Sequence, residues 1–322
     1  MPTVSVIIPG YRHAAFVADC IQSVRSQTFE DWEAVVLDDC SPDETYETAL
    51  KAAEGDPRFR VLRNESNLGA YGTEQRLLEL TSAPWVAVLN SDDLWLPTKL
   101  ETQLRAAAAA PDCAACFTLG WKIDEHGTEN TTEDVHADWP IETAPNLADR
   151  LMVENRILAS SVLFRREGLQ FDASCRYSGD WVALLSASLR GPLICVPERL
   201  TRWRMHSRNS YVASRPQLLE ELRVRWAIQQ DRALRALGSR RAFGENALRM
   251  MPLATFFNRR DLVLAAGIQA LLSAPDRGSA LRRILAAVAR PAHSRAHYWR
   301  MWAGEAALPE PGTAQFDPIR FA

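Results

Sequence analysis

The stretch WVAVLNSDDLWLP, residues 85–97, decides how the first half of this chain is read. A run of strand-forming apolar residues stops at two adjacent carboxylates, Asp92 and Asp93. Like charges side by side repel, and each costs heavily when desolvated without a partner. The strand end therefore calls for a positive group: an Arg or Lys, a helix N-terminus or a metal ion.

Outward from this stretch the sequence alternates. VSVIIPG (4–10), AVVLDD (34–39), FRVLRN (59–64) and AACFTLGW (114–121) read as further short buried strands. Between them AAFVADCIQSVRSQ (14–27), SPDETYETALKAA (41–53), YGTEQRLLELTS (71–82) and PTKLETQLRAAAAA (97–110) place apolar residues at helical spacing. Ser41 reads as the cap of the second helix, with Pro42 at its first position and Glu44 three residues after the cap. Strands of this length alternating with helices predict an α/β fold with a mostly parallel sheet covered on both faces. Ligands in such sheets bind beyond the carboxyl ends of the strands. Pro9 and Tyr11, Asp38 and Asp39, Asn67 and Gly69, and Asp92 and Asp93 follow four successive strands and so reach one rim. Any one of these alone is an ordinary turn former.

Bulk properties exclude several classes. The 322 residues are 47% hydrophobic and 24% charged with a net charge of −3, an ordinary globular balance that gives no footprint for nucleic acid. The opening MPTVSVIIPG lacks a basic region followed by an apolar one, and no apolar run approaches the roughly 18 residues of a spanning helix. A cytoplasmic protein is expected. The six cysteines are scattered and read as reduced thiols. Cys113 and Cys116, in CAAC, have metal-like spacing without further ligands and read as core thiols.

VSVIIPGYRHAAFVADCIQSVRSQTFEDWEAVVLDDCSPDET, then NESNLGAYGT, then WVAVLNSDDLWLP, resembles the family 2 glycosyltransferases of the GT-A fold. SSVLFRREGLQFDASCRYSGDWVALLSASL is similar to the segment that holds that family's catalytic base, and RWRMHSRNS to its late histidine motif. The resemblance covers roughly residues 3–210. It implies an inverting, metal-dependent transfer from a UDP- or dTDP-linked sugar to a hydroxyl of a glycan or lipid-linked acceptor in bacterial polysaccharide synthesis. By resemblance Asp39 receives the N3–H of the base, Pro9 and Tyr11 line the base pocket, and Gly69 and Asn90 touch the nucleotide sugar. Asp92, Asp93 and His206 would hold Mn²⁺ or Mg²⁺, with Asp92 also facing the donor. Asp180 would be the general base. An Asp before a helix is by itself more often a cap.

Two positions depart from the family pattern. The usual Asp-x-Asp reads Asn90–Ser91–Asp92, and the acid expected before Asp180 is Gly179. They are the best support for the competing reading, a degenerate sugar-nucleotide-binding or scaffold protein, against which stand Asp39, Asp92, Asp93, Asp180 and His206 together. A sugar-phosphate nucleotidyltransferase is disfavoured because PGYRHAAF has a single Gly where a triphosphate loop is needed, and a dehydrogenase because G-x-G-x-x-G is missing.

The expected organisation is a catalytic domain over 1–212, a helical region over 213–305 and an extended tail over 306–322. RPQLLEELRVRWAIQQDRALRAL (215–237) reads as one long helix. In SALRRILAAVARPAHSRAHYWRMWAG (279–304), Leu281, Leu285 and Val288 share a helix side among cationic and aromatic residues. That pattern suits either a peripheral contact with an anionic membrane surface or packing and self-association.

Overall fold

The computed structural model describes residues 1–132, 135–136, 147–207, 209, 215–273, 277–289, 319 and 321. The chain forms two compact units, one of Met1–Leu147 with Arg156–Asn209, the other of Ala148–Asn155 with Ser210–Phe321.

The first unit opens with the expected alternation: β1 (Val4–Gly10), α1 (Val17–Arg25), β2 (Trp32–Asp38), α2 (Thr45–Ala53), β3 (Phe59–Arg63), α3 (Ala70–Glu79) and β4 (Trp85–Val88). After these come β5 (Leu94–Trp95), α4 (Lys99–Ala109), β6 (Ala115–Ile123) and β7 (Glu129–Asn130). Helix α5 (Leu147–Val153) follows, then a short turn of tighter helix at Ala159–Ser161, β8 (Val162–Arg165), α6 (Gly179–Arg190) and β9 (Leu193–Arg204).

Strand β1 is central because it can be buried on both faces. Val4, Val6, Ile7 and Ile8 are all without exposure, the pattern of a covered parallel strand. It pairs in parallel with β2 and β4, and β2 pairs in parallel with β3. Ile21 and Val24 of α1, Ala49 of α2 and Leu100 of α4 pack into the same core as Ile8, Val36 and Leu89. The sheet runs β3-β2-β1-β4-β8-β6-β9-β5, with β7 on β6. Its second half mixes directions: β8 is antiparallel to β4 and β6, whereas β9 is parallel to β6 and antiparallel to β5. Most paired residues are parallel, as expected.

Ser41 does not cap α2. The helix starts at Thr45, and the Ser41 hydroxyl instead accepts from the backbone N–H of Arg12 at 3.0 Å, tying together the loops after β2 and β1. Arg12 and Cys40, in those two loops, both have positive φ, of 60° and 58°. Such conformations are uncommon outside glycine and concentrate at functional sites.

The second unit is helical: α5 with α7 (Arg215–Gln230), α8 (Arg232–Leu237), α9 (Arg240–Phe256), α10 (Arg260–Ser273) and α11 (Arg277–Ala289). The single helix expected over 215–237 is broken at Asp231, whose carboxylate caps α8 by accepting from the Leu234 N–H at 2.7 Å. Leu222, Met250, Met251, Leu262 and Ala270 form this unit's core. Leu264, Ile268 and Leu272, spaced at i, i+4 and i+8 on α10, are 67%, 52% and 65% exposed, and Leu281 and Leu285 of α11 are exposed as well. Residues 290–304 of the expected amphipathic segment, and the 306–322 tail apart from Ile319 and Phe321, lie outside the described residues. Among the described residues no helix is long and apolar enough to cross a membrane.

Candidate active site

Because β1, β2, β3 and β4 run parallel, their carboxyl ends share one rim. The loop after β4 brings Asn90, Ser91, Asp92 and Asp93 there. Strand β9 brings the late histidine: Leu94 of β5 is paired antiparallel with Arg202, so the residues after Arg204 arrive beside those before Leu94. Nε2 of His206 lies 3.0 Å from Oδ2 of Asp92, and Nε2 of His13 lies 3.7 Å from the same oxygen. The ligand atoms of His13, Asp92 and His206 all fall within 4.8 Å of one another, close enough to hold one metal ion. Ser91 steadies His13 through a 2.8 Å hydrogen bond to Nδ1, and the Phe16 ring packs on His206 at 4.8 Å between centroids.

Asp93 does not join this group. Its Oδ1 accepts from the backbone N–H of Arg204 at 2.9 Å, and its Oδ2 from the hydroxyl of Ser160. The Asp92 carboxyl sits below its usual range: burial works to raise it, but the charge on His13 and the hydrogen bond with His206 outweigh that. Asp93 goes the other way, pushed up by burial and by the charge of Asp92. The positive partner demanded at this strand end comes partly from protein. The buried Arg204 side chain donates from Nε to the Asp92 carbonyl at 2.8 Å and lies 3.7 Å from the carboxylate of Asp19.

Asp39 is buried at the neighbouring strand end. Its Oδ1 accepts from Asn64 Nδ2 at 2.9 Å and the Leu68 N–H at 2.8 Å, and its Oδ2 from the Gly69 N–H at 2.9 Å. Gly69 has a φ of 77°, which lets its N–H turn toward Asp39 just before α3 begins. Pro9 is half-buried and Tyr11 exposed beside this loop system. Asn90 contributes its backbone, its N–H donating to Ser160 Oγ at 3.0 Å. Asp38, at the end of β2, has no exposure and is held by Arg63 at 3.2 Å and the Ser41 N–H, leaving Oδ1 without a hydrogen-bond partner.

Asp180 lies in the first turn of α6, after the cap position Ser178, where the helix dipole favours a negative charge. Its Oδ1 accepts from the Tyr71 hydroxyl of α3 at 3.2 Å and from the Trp181 N–H at 2.8 Å. Gly179 is explained by the same contact: a Cβ there would stand 2.4 Å from the Tyr71 ring. Cys113 and Cys116 are buried free thiols, and burial pushes Cys116 up to about 12, which suits the core reading.

Sequence reasoning missed His13. A lone histidine in a loop carries little signal; its position three residues beyond β1, on the rim shared with Asp92, was the one clue.

Residues 5–167 match the family model described as "Glycosyl transferase family 2". TuaG of Bacillus subtilis, named for teichuronic acid biosynthesis, is 38% identical over 127 residues, which is 39% of this chain and 50% of TuaG. The Escherichia coli UDP-Glc:alpha-D-GlcNAc-diphosphoundecaprenol beta-1,3-glucosyltransferase WfgD is 39% identical over 101 residues, 31% of this chain and 39% of WfgD. The chain thus spans half or less of the length of these curated relatives. Among solved structures, Staphylococcus aureus TarS 1–349 in complex with UDP superposes with a TM-score of 0.64 at 16% identity, covering 98% of this chain and 97% of that one. That likeness shows the fold, GT-A with a helical C-terminal region. With its match extending over half of its length, the chain belongs to glycosyl transferase family 2.

Proposed function

We propose that this chain transfers a sugar from a nucleotide-diphosphate donor, UDP- or dTDP-linked, to a hydroxyl of a glycan or lipid-linked acceptor, with inversion at the anomeric carbon. The observation that carries the reading is the convergence of His13, Asp92 and His206 at the rim of a parallel sheet. Two imidazoles and one carboxylate fit a divalent cation, and their softer nitrogen donors suit Mn²⁺ better than Mg²⁺. When bound there, the cation supplies positive charge against the donor's diphosphate and the charge that grows on it as it leaves.

The chain's own residues do the rest. Asp39 accepts the N3–H of uracil or thymine, a donor both bases present, with Pro9 and Tyr11 lining the base and Gly69 and Asn90 toward the donor. Asp180, kept anionic by the α6 dipole and oriented by Tyr71, takes the proton of the acceptor hydroxyl as it attacks. Asp93 and Arg204 hold the loop that carries Asp92. The names of TuaG and WfgD support bacterial polysaccharide synthesis, and WfgD's supports a lipid-linked acceptor. The exposed Leu264, Ile268 and Leu272 stripe supports a peripheral contact with the cytoplasmic face of a membrane holding such an acceptor; self-association through these helices is the competing use.

Calorimetry of UDP with and without Mn²⁺ tests the reading, using wild type, His13→Ala and His206→Ala. Mn²⁺-dependent binding that weakens in both variants is expected. UDP affinity indifferent to Mn²⁺ and to both histidines would overturn it.

A further inference from the structure

The loop that carries Asp92 is closed by a hydroxyl from far along the chain. Ser160, in the tight turn Ala159–Ser161 before β8, is 1% exposed. Its Oγ accepts from the Asn90 N–H at 3.0 Å and donates to Oδ2 of Asp93. The Asp93 N–H donates to the Asn90 carbonyl at 3.0 Å. Residues 90 and 93 are thus bonded to each other and to one hydroxyl, with Asp92 between them. A hydroxyl can serve both because it offers one donor and two acceptor lone pairs. The turn beneath it is fixed by bonds that do not involve residues 90–93. The Trp95 indole N–H donates to the Ser160 carbonyl at 2.6 Å, and Nε2 of Gln103 on α4 donates to the Ser161 carbonyl at 2.9 Å and the Cys116 carbonyl at 3.0 Å. The Ser161 hydroxyl donates to the Leu158 carbonyl at 2.7 Å. Trp95 and Gln103 are buried as well. Ser160 is therefore an anchor to which the loop is tied.

We propose that Ser160 is a positioning residue for the metal site: it holds residues 90–93 in the turn that presents the Asp92 carboxylate to His13 and His206, and itself touches neither metal nor donor. This deepens the reading of His13, Asp92 and His206 as metal ligands and rests on it. A ligand held within a fraction of an ångström of its working position gives up little freedom when the ion arrives. Without the Ser160 hydroxyl, the Asn90 N–H and Oδ2 of Asp93 both lose a partner in a site where polar groups are costly to leave unpaired. The turn then relaxes to satisfy them, and Asp92, lying between the two, moves relative to both imidazoles.

Titration of the whole chain with Mn²⁺, followed by electron paramagnetic resonance of the free ion and set beside thermal denaturation, tests this without an acceptor. Ser160→Ala is expected to weaken Mn²⁺ binding about tenfold, the lower end of what outer-shell partners of a metal contribute. Ser160→Thr, which keeps the hydroxyl, is expected to restore it. Ser161→Ala is the matched control. It removes an equally buried hydroxyl from the same turn, but one bonded to Leu158 and not to the loop. It should lower the melting temperature and leave Mn²⁺ affinity at the wild-type value. If Ser160→Ala does not fold, Ser160→Cys fills the same space with a much weaker hydrogen-bonding group and is read in the same way. A Ser161→Ala that weakens Mn²⁺ binding as much as Ser160→Ala does would assign the effect to packing of the turn and overturn the proposal. The two levels fail separately. Mn²⁺ held equally by wild type and Ser160→Ala removes Ser160 alone, whereas a wild type without Mn²⁺ affinity removes the metal reading and the proposal with it.

Discussion

Asp92 and Asp93 are neighbours in sequence, yet their carboxylates serve different partners: His206 and His13 stand beside Asp92, while Ser160 and the Arg204 N–H hold Asp93. The two positions therefore respond differently to substitution. Asp92→Ala is expected to abolish Mn²⁺-dependent UDP binding with a small change in melting temperature. Asp93→Ala strands a buried hydroxyl and a buried N–H, at a cost of about 1–3 kcal/mol, and lowers the melting temperature first. Calorimetry beside thermal denaturation checks the contrast, and equal stability losses with equal affinities would contradict it.

The histidines should add to one another at the metal. His13→Ala and His206→Ala are each expected to weaken Mn²⁺ binding, with the double variant weaker than either. An imidazole binds metal only when neutral, so affinity should also fall as the solution is acidified. Direct Mn²⁺ titration, followed by electron paramagnetic resonance of the free ion, reads both effects. An affinity untouched by His13→Ala would remove that residue from the metal site.

Asp39 links nucleotide binding to loop order. Three protein donors already converge on its carboxylate, from Asn64, Leu68 and Gly69. Asp39→Ala should therefore both weaken UDP binding, by about 1.5–3 kcal/mol for the lost charge-assisted bond, and lower the melting temperature. A purely structural Asp39 would lower the melting temperature and leave the affinity of the folded protein unchanged.

Asp180→Asn keeps shape while removing the proton acceptor. Turnover is expected to fall at least about 10²-fold, with donor affinity intact. Gly179→Ala reaches the same function indirectly: its new Cβ drives against the Tyr71 ring and displaces the hydroxyl from Asp180. Tyr71→Phe, which removes the hydroxyl without a clash, is the control. Turnover unchanged in Tyr71→Phe but lost in Gly179→Ala would assign the damage to packing.

Lys99 offers a pH test away from the chemistry. Its side chain has no exposure, with Nζ 2.7 Å from Oε1 of Gln103 and 4.0 Å from the centre of the Trp95 ring. Burial lowers its pKa to about 7 from 10.5. Between those values the unfolded chain binds a proton that the folded chain has released, so stability rises with pH across the window, by up to about 1.4 kcal/mol per unit. Below about pH 7 both states are protonated and the contribution levels off. Urea denaturation of wild type and Lys99→Met from pH 6 to 10 should show this rise in wild type relative to the variant; parallel curves would contradict it.

Much of the first unit was legible because local rules govern it. Apolar runs marked β1, β2, β3, β4 and β6, and 3.6-residue spacing marked the helices between them. The later strands were not legible in that way. β8 inserts between β4 and β6, and β5 is a two-residue strand that exists because β9 pairs with it. Those choices depend on partners far along the chain. The same distance hid part of the site. Asp92, Asp180 and His206 carried motif context, whereas His13 is a single residue whose meaning comes from what β9 brings beside it. Ser41 satisfied the local rule for a cap and was taken instead by Arg12, a tertiary contact overriding a local one.

The chain crosses between its two units at 147–148, 155–156 and 209–210, because Ala148–Asn155 belongs with the C-terminal helices. Leu151 and Met152 of that short segment have no exposure, and Asn246 of α9 donates to the Met152 carbonyl. The helical unit is therefore not heritable as a simple C-terminal cassette. A gene fusion or crossover with one breakpoint near codon 210 would pair a new set of helices with an α5 shaped for the old ones. Exchange of accessory regions at this architecture needs two coordinated breakpoints, which favours divergence in place over shuffling.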